Sequence, residues 1–86
     1  MRNDFEYGFF KIEIDGESGN FKLRVWDRHI QPLDKPIGPV ICEKGKVDSL
    51  ESALVAAAEC IAKITGSAAR AIRIDIRPHL QEENSN

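Results

Sequence analysis

The chain has 86 residues, of which 42% are hydrophobic and 30% charged, and its formal net charge is -2. These values are typical of a single globular domain and exclude a surface built throughout to hold a nucleic-acid backbone. No segment approaches the roughly 18 apolar residues of a membrane span, and the stretch 1–6 has two acids and no apolar run. We therefore expect no secretory signal, no membrane contact and a cytoplasmic location.

The first third of the chain predicts an antiparallel β-hairpin. Apolar residues alternate with polar ones in two runs, as in half-buried strands: Phe10, Ile12 and Ile14, then Phe21, Leu23 and Val25. A four-residue turn at 16–19 would pair these residues across the hairpin: Ile14 with Phe21, Ile12 with Leu23 and Phe10 with Val25. Upstream, Phe5, Tyr7 and Phe9 have the opposite parity, which a bulge or bend at Gly8 would reconcile.

The middle of the chain predicts a loop and a third, weaker strand. Residues 27–39 contain three prolines and no sustained hydrophobic period, which indicates a long loop lying against the domain. Residues 39–43 predict a short strand at a sheet edge, because Pro39 cannot donate a backbone hydrogen bond. Residues 43–46 predict the turn that leads into a helix.

Residues 48–66 predict a long amphipathic helix. Asp48 and Glu51 have the spacing of a capping box, and Gly66 suits the left-handed conformation that closes a helix. One side forms an apolar stripe with three further residues at its margins: Leu50, Leu54, Ala57, Ile61 and Ile64, flanked by Ala53, Ala58 and Thr65. The opposite side is rich in alanine, which either favours helix formation alone or lets a second helix approach closely, as in a homodimer.

The end of the chain predicts a last strand and a tail. Isoleucines alternate with charged residues at 72–77 before Pro78, and the polar stretch 81–86 is expected to be disordered. The predicted fold class is therefore α+β, with a single domain at 1–80. An antiparallel hairpin and further strands form a three- to four-stranded sheet with one helix on one face, in the order β-β-(β)-α-β.

Residue types that carry catalysis or bind metals are sparse. Cys42 and Cys60 are 18 positions apart without Cys-x-x-Cys spacing, which favours small buried apolar side chains over a disulfide or a reactive thiol. Asp27 and His29, with Asp34 nearby, suggest an acid/base or metal cluster, but no third ligand is evident. We predict a protein that is not an enzyme and has no cofactor or metal, against a rival in which His29 completes a site at a subunit interface.

The most informative surface is the sheet face turned away from the helix. Cations and aromatic residues share it, as they do on sheets that bind single-stranded nucleic acids: Phe9, Lys11, Lys22, Arg24, Trp26, Arg73 and Arg77. In the expected register, three pairs of residues lie opposite each other on this face: Glu13 with Lys22, Lys11 with Arg24 and Phe9 with Trp26. This candidate interaction face predicts a contact between two copies of the chain, with coverage by the 27–39 loop and nucleic-acid binding as alternatives.

Residues 48–61 carry a family resemblance. The stretch Asp-Ser-Leu-Glu-Ser-Ala-Leu-Val-Ala-Ala-Ala-Glu-Cys-Ile, preceded by a strand hairpin, resembles the helix of the HicB-like antitoxins. The resemblance implies a small domain of strands, one helix and a last strand. The Pro-Gly-Cys region of that family, and the Gly-Asp-Thr that leads into its helix, are missing here.

From these features we predict a small interaction module of unknown ligand. Its first partner is a second copy of itself, joined through the open sheet face or the helix, and another protein is a further partner class. RNA or single-stranded DNA, bound by the basic and aromatic residues of the sheet face, is the alternative, which includes an antitoxin of the HicB-like type.

Overall fold

The computed structural model describes residues 2–28 and 40–80. Four strands and two helices follow one another there, ending in a short 3-10 helix: β1 (Arg2–Tyr7), β2 (Phe10–Glu17), β3 (Asn20–Asp27), β4 (Val40–Val47), α1 (Leu50–Thr65), α2 (Ala69–Ile76) and the 3-10 helix (Arg77–His79). Of the loop predicted at 27–39, Asp27 is the last residue of β3 and residues 29–39 lie outside the described residues, as does the tail predicted at 81–86.

The strands form one antiparallel sheet in chain order, and the β2–β3 hairpin turns at residues 18–19, with Glu17 paired to Asn20. The predicted four-residue turn is wrong, and the pairs are displaced by two residues: Ile12 with Val25, Ile14 with Leu23 and Gly16 with Phe21. Gly16 and Gly19 have φ of 116° and 85°, which lets the strands stay paired up to Glu17 and then reverse within two residues. Because side chains alternate with period two, each face keeps the predicted residues.

The segment before β2 is a separate edge strand, β1. It pairs antiparallel with β2 through a second two-residue turn at 8–9, where Gly8 has a φ of 60°. The bulge or bend predicted at Gly8 is a full reversal of the chain, which accounts for the opposite parities of the two apolar runs. The reversal places Phe5 beside Ile12 and Tyr7 beside Phe10.

Strand β4 forms the other edge of the sheet, beside β3, which confirms the predicted edge position. It runs to Val47, so the turn predicted at 43–46 is part of the strand. The strand is irregular, because its register with β3 shifts at two places and Lys46 has a φ of 55°. Such distortion, together with exposed charges, discourages this edge from pairing with another sheet.

Helix α1 has a polar N-cap and a glycine C-cap, as expected, and it buries most of the predicted apolar stripe. Ser49, instead of Asp48, is the N-cap and accepts a hydrogen bond from the amide of Ser52 at 3.1 Å, and Gly66 ends the helix with a φ of 76°. Ile64, predicted within the stripe, lies in the last turn and is 49% exposed. The side that faces the sheet is fully buried: Ala53, Leu54, Ala57, Ala58 and Ile61.

The predicted last strand is wrong, since residues 69–76 form the second helix, α2. Ile72 and Ile76 are buried four positions apart, whereas Ile74 between them is 63% exposed. A spacing of four suits both a strand and a helix, and only the helix turns the middle isoleucine outward. The helix packs beside α1, where the guanidinium of Arg77 donates two hydrogen bonds to the carboxylate of Glu51, at 2.5 and 2.8 Å.

One hydrophobic core joins the sheet to both helices. The sheet contributes the six buried side chains that its alternation predicted: Phe10, Ile12, Ile14, Phe21, Leu23 and Val25. The α+β class and the buried face of the hairpin are confirmed, but the layer that covers this face holds two helices instead of one. In the part of the chain that the structure describes, no helix is both long and apolar enough to cross a membrane.

Candidate interaction surface

The helices cover one side of the sheet, and the other side presents the side chains of opposite parity. We call this side the open face. Its described members come from all four strands and from the residue after β3: Arg2, Asp4, Glu6, Lys11, Glu13, Asp15, Lys22, Arg24, Trp26, Arg28, Val40 and Glu43.

The structure keeps four of the seven predicted face residues together: Lys11, Lys22, Arg24 and Trp26. Phe9 does not join them, because it lies in the turn between β1 and β2, with 60% of its surface exposed. Arg73 and Arg77 lie on the other side of the sheet, because their segment is helical and packs on the core. The predicted face is therefore wrong at these three positions.

Ion pairs link charged side chains of the open face, both within one strand and across strands. The corrected register places Glu13 beside Arg24 and Lys11 beside Trp26, so the predicted like-charge pair of Lys11 with Arg24 does not form. The closest contacts join guanidinium groups to carboxylates: Arg2 to Glu13 at 2.8 Å, Arg2 to Asp4 at 3.3 Å, Arg24 to Glu43 at 2.7 Å and Arg28 to Glu6 at 2.5 Å. Each described arginine of this face thus contacts at least one carboxylate.

Trp26 is half-buried and lies in the most cationic part of the open face. The Nζ of Lys11 is 5.3 Å from its ring centroid, a distance at which the ring quadrupole attracts a cation. Arg24 and Arg28 flank it along β3, and Val40 is its neighbour on β4. The indole therefore offers an aromatic surface that is bordered by three cations and one aliphatic side chain.

Charge is distributed unevenly over the open face. The first two strands present four carboxylates and two cations: Asp4, Glu6, Glu13 and Asp15, with Arg2 and Lys11. The third strand and the residue after it present three cations and no carboxylate on this face: Lys22, Arg24 and Arg28. The half formed by β1 and β2 is acidic, and the adjoining strip along β3 is basic.

Two side chains of the edge strand β1 contact residues at the end of the helical layer. The hydroxyl of Tyr7 donates a hydrogen bond to Asp75 at 3.2 Å. Burial raises the pKa of Tyr7, and the neighbouring Asp75 carboxylate raises it further. The ring of His79 stacks on Phe5 with centroids 5.0 Å apart and planes inclined by 7°. His79 therefore helps to attach the end of the helical layer to the sheet.

The candidate acid/base cluster falls largely outside the described residues. Asp27 ends β3 and is buried, whereas His29 and Asp34 are not described. Within residues 2–28 and 40–80, no group of three ligating side chains is placed to hold a metal. An enzyme site completed by His29 at a subunit interface stays a prediction from the sequence.

A cavity of about 310 Å³ lies between α1 and the edge strand β4. Its lining comes from both elements: Ile41, Cys42, Lys44, Ala56, Glu59, Cys60 and Lys63. The two cysteines are free and half-buried, so the burial predicted for them is only partial. Burial, and next the adjacent Cys42, raise the pKa of the Cys60 thiol to about 11, although Lys63 and Lys44 act in the opposite direction.

Sequence reasoning missed five charged members of the open face, for different reasons: Arg28, Glu43 and the three β1 residues Arg2, Asp4 and Glu6. Arg28 continues the parity of Arg24 and Trp26, so extending the third strand by two residues would have found it. The three β1 residues required β1 to be identified as a strand of its own. Glu43 was assigned both to the end of the third strand and to the turn after it, whereas the strand continues to Val47.

Comparisons with known proteins add no family to these observations. Searches against protein-family models, curated proteins and solved structures found no match. The resemblance of residues 48–61 to HicB-like antitoxins concerns helix α1 alone, and the last strand that it implies is helix α2 in this chain.

Proposed function

We propose that this protein is a small interaction module without catalytic machinery, and that it forms homodimers through the open face. The observation that supports this most is the division of that face into an acidic half on β1 and β2 and a basic strip on β3. A two-fold axis through the face would lay the acidic strands of each copy over the basic strip of the other. Such complementarity of one patch with itself is what a symmetric dimer requires.

The centre of the proposed interface combines apolar area with polar groups that can change partners. Trp26 and Val40 are neighbours across β3 and β4, and tryptophan is among the side chains that contribute most at interfaces. Arg24 contacts Glu43 through Nε, and Arg28 contacts Glu6 through Nη1. A guanidinium has five N–H groups, so each arginine can also receive a carboxylate of the second copy.

Replacement of Trp26 tests the proposal directly. We expect the wild type to sediment as a dimer at low salt, and Trp26→Ala to raise the dimer Kd about 30-fold, or about 2 kcal/mol. Sedimentation velocity over a concentration series measures both values. Phe9→Ala is the matched control, because it removes an exposed aromatic ring from the turn outside the open face; its Kd should stay that of the wild type.

Comparing Ile74→Ala with Trp26→Ala distinguishes a dimer contact on the helices from one on the open face. Ile74 is an exposed apolar side chain on α2, 63% accessible on the opposite side of the molecule. If Ile74→Ala weakens the dimer while Trp26→Ala leaves its Kd unchanged, the contact lies on the helices, and the proposal for the open face is wrong.

One observation favours a second candidate, the binding of RNA or single-stranded DNA. The third strand presents cations on both sides of an aromatic ring, as in Lys22, Arg24, Trp26 and Arg28, which is how sheets stack bases and hold phosphates. The carboxylates that contact Arg24 and Arg28 oppose it, since a phosphate would have to displace them. This candidate therefore ranks second.

Fluorescence anisotropy with labelled oligothymidine and oligouridine tests the nucleic-acid candidate. Binding that weakens steeply with salt, and that both Trp26→Ala and Arg24→Ala reduce, would support it. No binding at low ionic strength would remove it. A cytoplasmic location and the lack of a catalytic role stay predictions from the sequence.

A further inference from the structure

The cavity between α1 and β4 brings together the two cysteines of the chain. Cys42 belongs to the edge strand, where it pairs with Val25, and Cys60 belongs to the third turn of α1. Both side chains line the same cavity. The Cys60 thiol lies 3.7 Å from the carbonyl oxygen of Ile41, next to Cys42, and within hydrogen-bonding reach of the Cys42 thiol.

We propose that Cys42 and Cys60 form a site of reversible oxidation, at which an anionic low-molecular-weight disulfide, such as oxidised glutathione, converts the two thiols to a disulfide bond. Three features of the site support this assignment. The thiols are adjacent, they are half-buried and so accessible from the cavity, and Lys44 and Lys63 line the same cavity. The two ammonium groups would attract the carboxylates of the oxidant.

The reaction has two exchange steps. The Cys42 thiolate attacks one sulfur of the small disulfide, which forms a mixed disulfide and releases the first small thiol. The Cys60 thiol then loses its proton to water and attacks the Cys42 sulfur, which forms the Cys42–Cys60 bond and releases the second small thiol. The two cysteines lose two electrons and two protons, and the small disulfide is reduced to two thiols.

The order of the steps follows from the surroundings of the two thiols. The Cys60 thiol donates a hydrogen bond to the carbonyl oxygen of Ile41, which favours its protonated form, and burial raises its pKa; the thiolate is the attacking species. Cys60 is therefore the resolving residue, whose attack becomes intramolecular once Cys42 carries the mixed disulfide. Such reversible pairs are the usual form of disulfides in reducing compartments.

The bond would attach the edge strand to the main helix. It closes a loop between positions 42 and 60, and a crosslink of that length restricts the unfolded chain. For a domain of this size the expected rise in Tm is roughly 10 °C or more. Oxidation would also hold β4, the most irregular strand of the sheet, against α1.

The test is to incubate the reduced full-length protein with oxidised glutathione under native conditions. Alkylation followed by mass spectrometry should find single chains lighter by two hydrogen atoms and unlabelled at both cysteines. Their Tm should rise as stated and return to the starting value with dithiothreitol. The proposal is overturned if both thiols remain alkylatable, if glutathione adducts accumulate, or if the disulfide links two chains.

The variant Cys60→Ser is the matched control. It retains Cys42 and the cavity lysines but lacks the resolving thiol, so oxidation should stop at a glutathione adduct with no rise in Tm. A rise equal to that of the wild type in this variant would overturn the assignment, because the stabilisation would then not come from the Cys42–Cys60 bond.

Discussion

Gly16 lets β2 stay paired with β3 up to the last residues before the turn. Its φ is 116°, and a β-carbon at this position would lie 2.5 Å from the carbonyl oxygen of Asn20. That oxygen belongs to the backbone at the start of β3 and cannot move without breaking the pairing. The two-residue turn therefore depends on the absence of a side chain at Gly16.

We predict that Gly16→Ala lowers the free energy of unfolding by about 2 kcal/mol or more, because alanine is strained at this φ and clashes with Asn20. Urea unfolding measures the change. Gly45→Ala is the control: a β-carbon there would have no atom within 4 Å, and the φ of Gly45 is not positive, so its effect should stay within about 0.5 kcal/mol. Equal effects of the two substitutions would contradict the observed turn.

The contact between Glu51 and Arg77 makes part of the stability depend on pH. The hydrogen bonds from Arg77 lower the pKa of Glu51 below its ordinary 4.5, although desolvation opposes the effect. The folded state therefore binds the Glu51 proton less readily than the unfolded chain. Stability from this pair is present above the unfolded pKa and is lost as the pH falls through the lowered folded value.

We predict that Glu51→Gln lowers Tm at pH 7 and that the difference from the wild type shrinks as the pH falls below the ordinary pKa of Glu51 and through its lowered folded value, because protonation removes the ion pair. Thermal unfolding over a series of pH values measures this. Glu59→Gln, on the same helix, leaves the contact with Arg77 intact and should not reproduce the pH-dependent difference. A difference for Glu51→Gln that persists undiminished at low pH would contradict the role of the ion pair.

At the scale of elements, α2 is the part of the fold that the sequence assigned wrongly. Its outer side exposes Ile74, while Ile72 and Ile76 enter the core. A strand with one covered face would bury all three isoleucines. The strand and helix assignments therefore differ in whether the side chain of Ile74 is buried and contributes to stability.

We predict that Ile76→Ala lowers the free energy of unfolding by about 2–5 kcal/mol, since it leaves a cavity in the core. Ile74→Ala, the same substitution two positions earlier, should change it by less than about 0.5 kcal/mol. Urea unfolding of the two variants measures both values. A large loss for Ile74→Ala would indicate that this side chain is buried and that the helix is wrong.

An element could be predicted where its apolar residues fit only one periodicity, and it could not be predicted where they fit the strand period and the helix period equally well. The two strands of the hairpin and their buried faces were assigned correctly, although the turn and the register were wrong, because Phe10 to Ile14 and Phe21 to Val25 alternate strictly and a displacement by two keeps each face. The last isoleucines fit a helix as well as a strand, and only packing against α1 decides between them. Strand β1 was missed because a glycine at position 8 permits a bulge as well as a turn.

At the scale of the whole molecule, the candidate site depends on which residues share a side of the sheet. Lys11, Lys22, Arg24 and Trp26 could be grouped from local alternation, which long-range structure does not alter. Arg73 could not, because its position depends on the fold of α2. The acidic half of the open face was also beyond prediction, since it requires β1 to pair with β2.

The open face, over which none of the described strands or helices packs, is the surface that we propose for self-association, rather than the helical layer. Its complementary charges should make association sensitive to salt, because exposed charges are screened over about 10 Å at 0.1 M ionic strength and over about 3 Å at 1 M. An interface formed by apolar helix residues would not weaken in this way.

The most direct test is the mass of the wild-type protein in solution as salt is varied, measured by sedimentation equilibrium. We predict twice the 9.6 kDa mass of the chain at low ionic strength, with a Kd that rises as sodium chloride is added toward 1 M. A single-chain mass at every concentration in low salt, or a dimer that salt leaves unchanged, would contradict self-association through the open face.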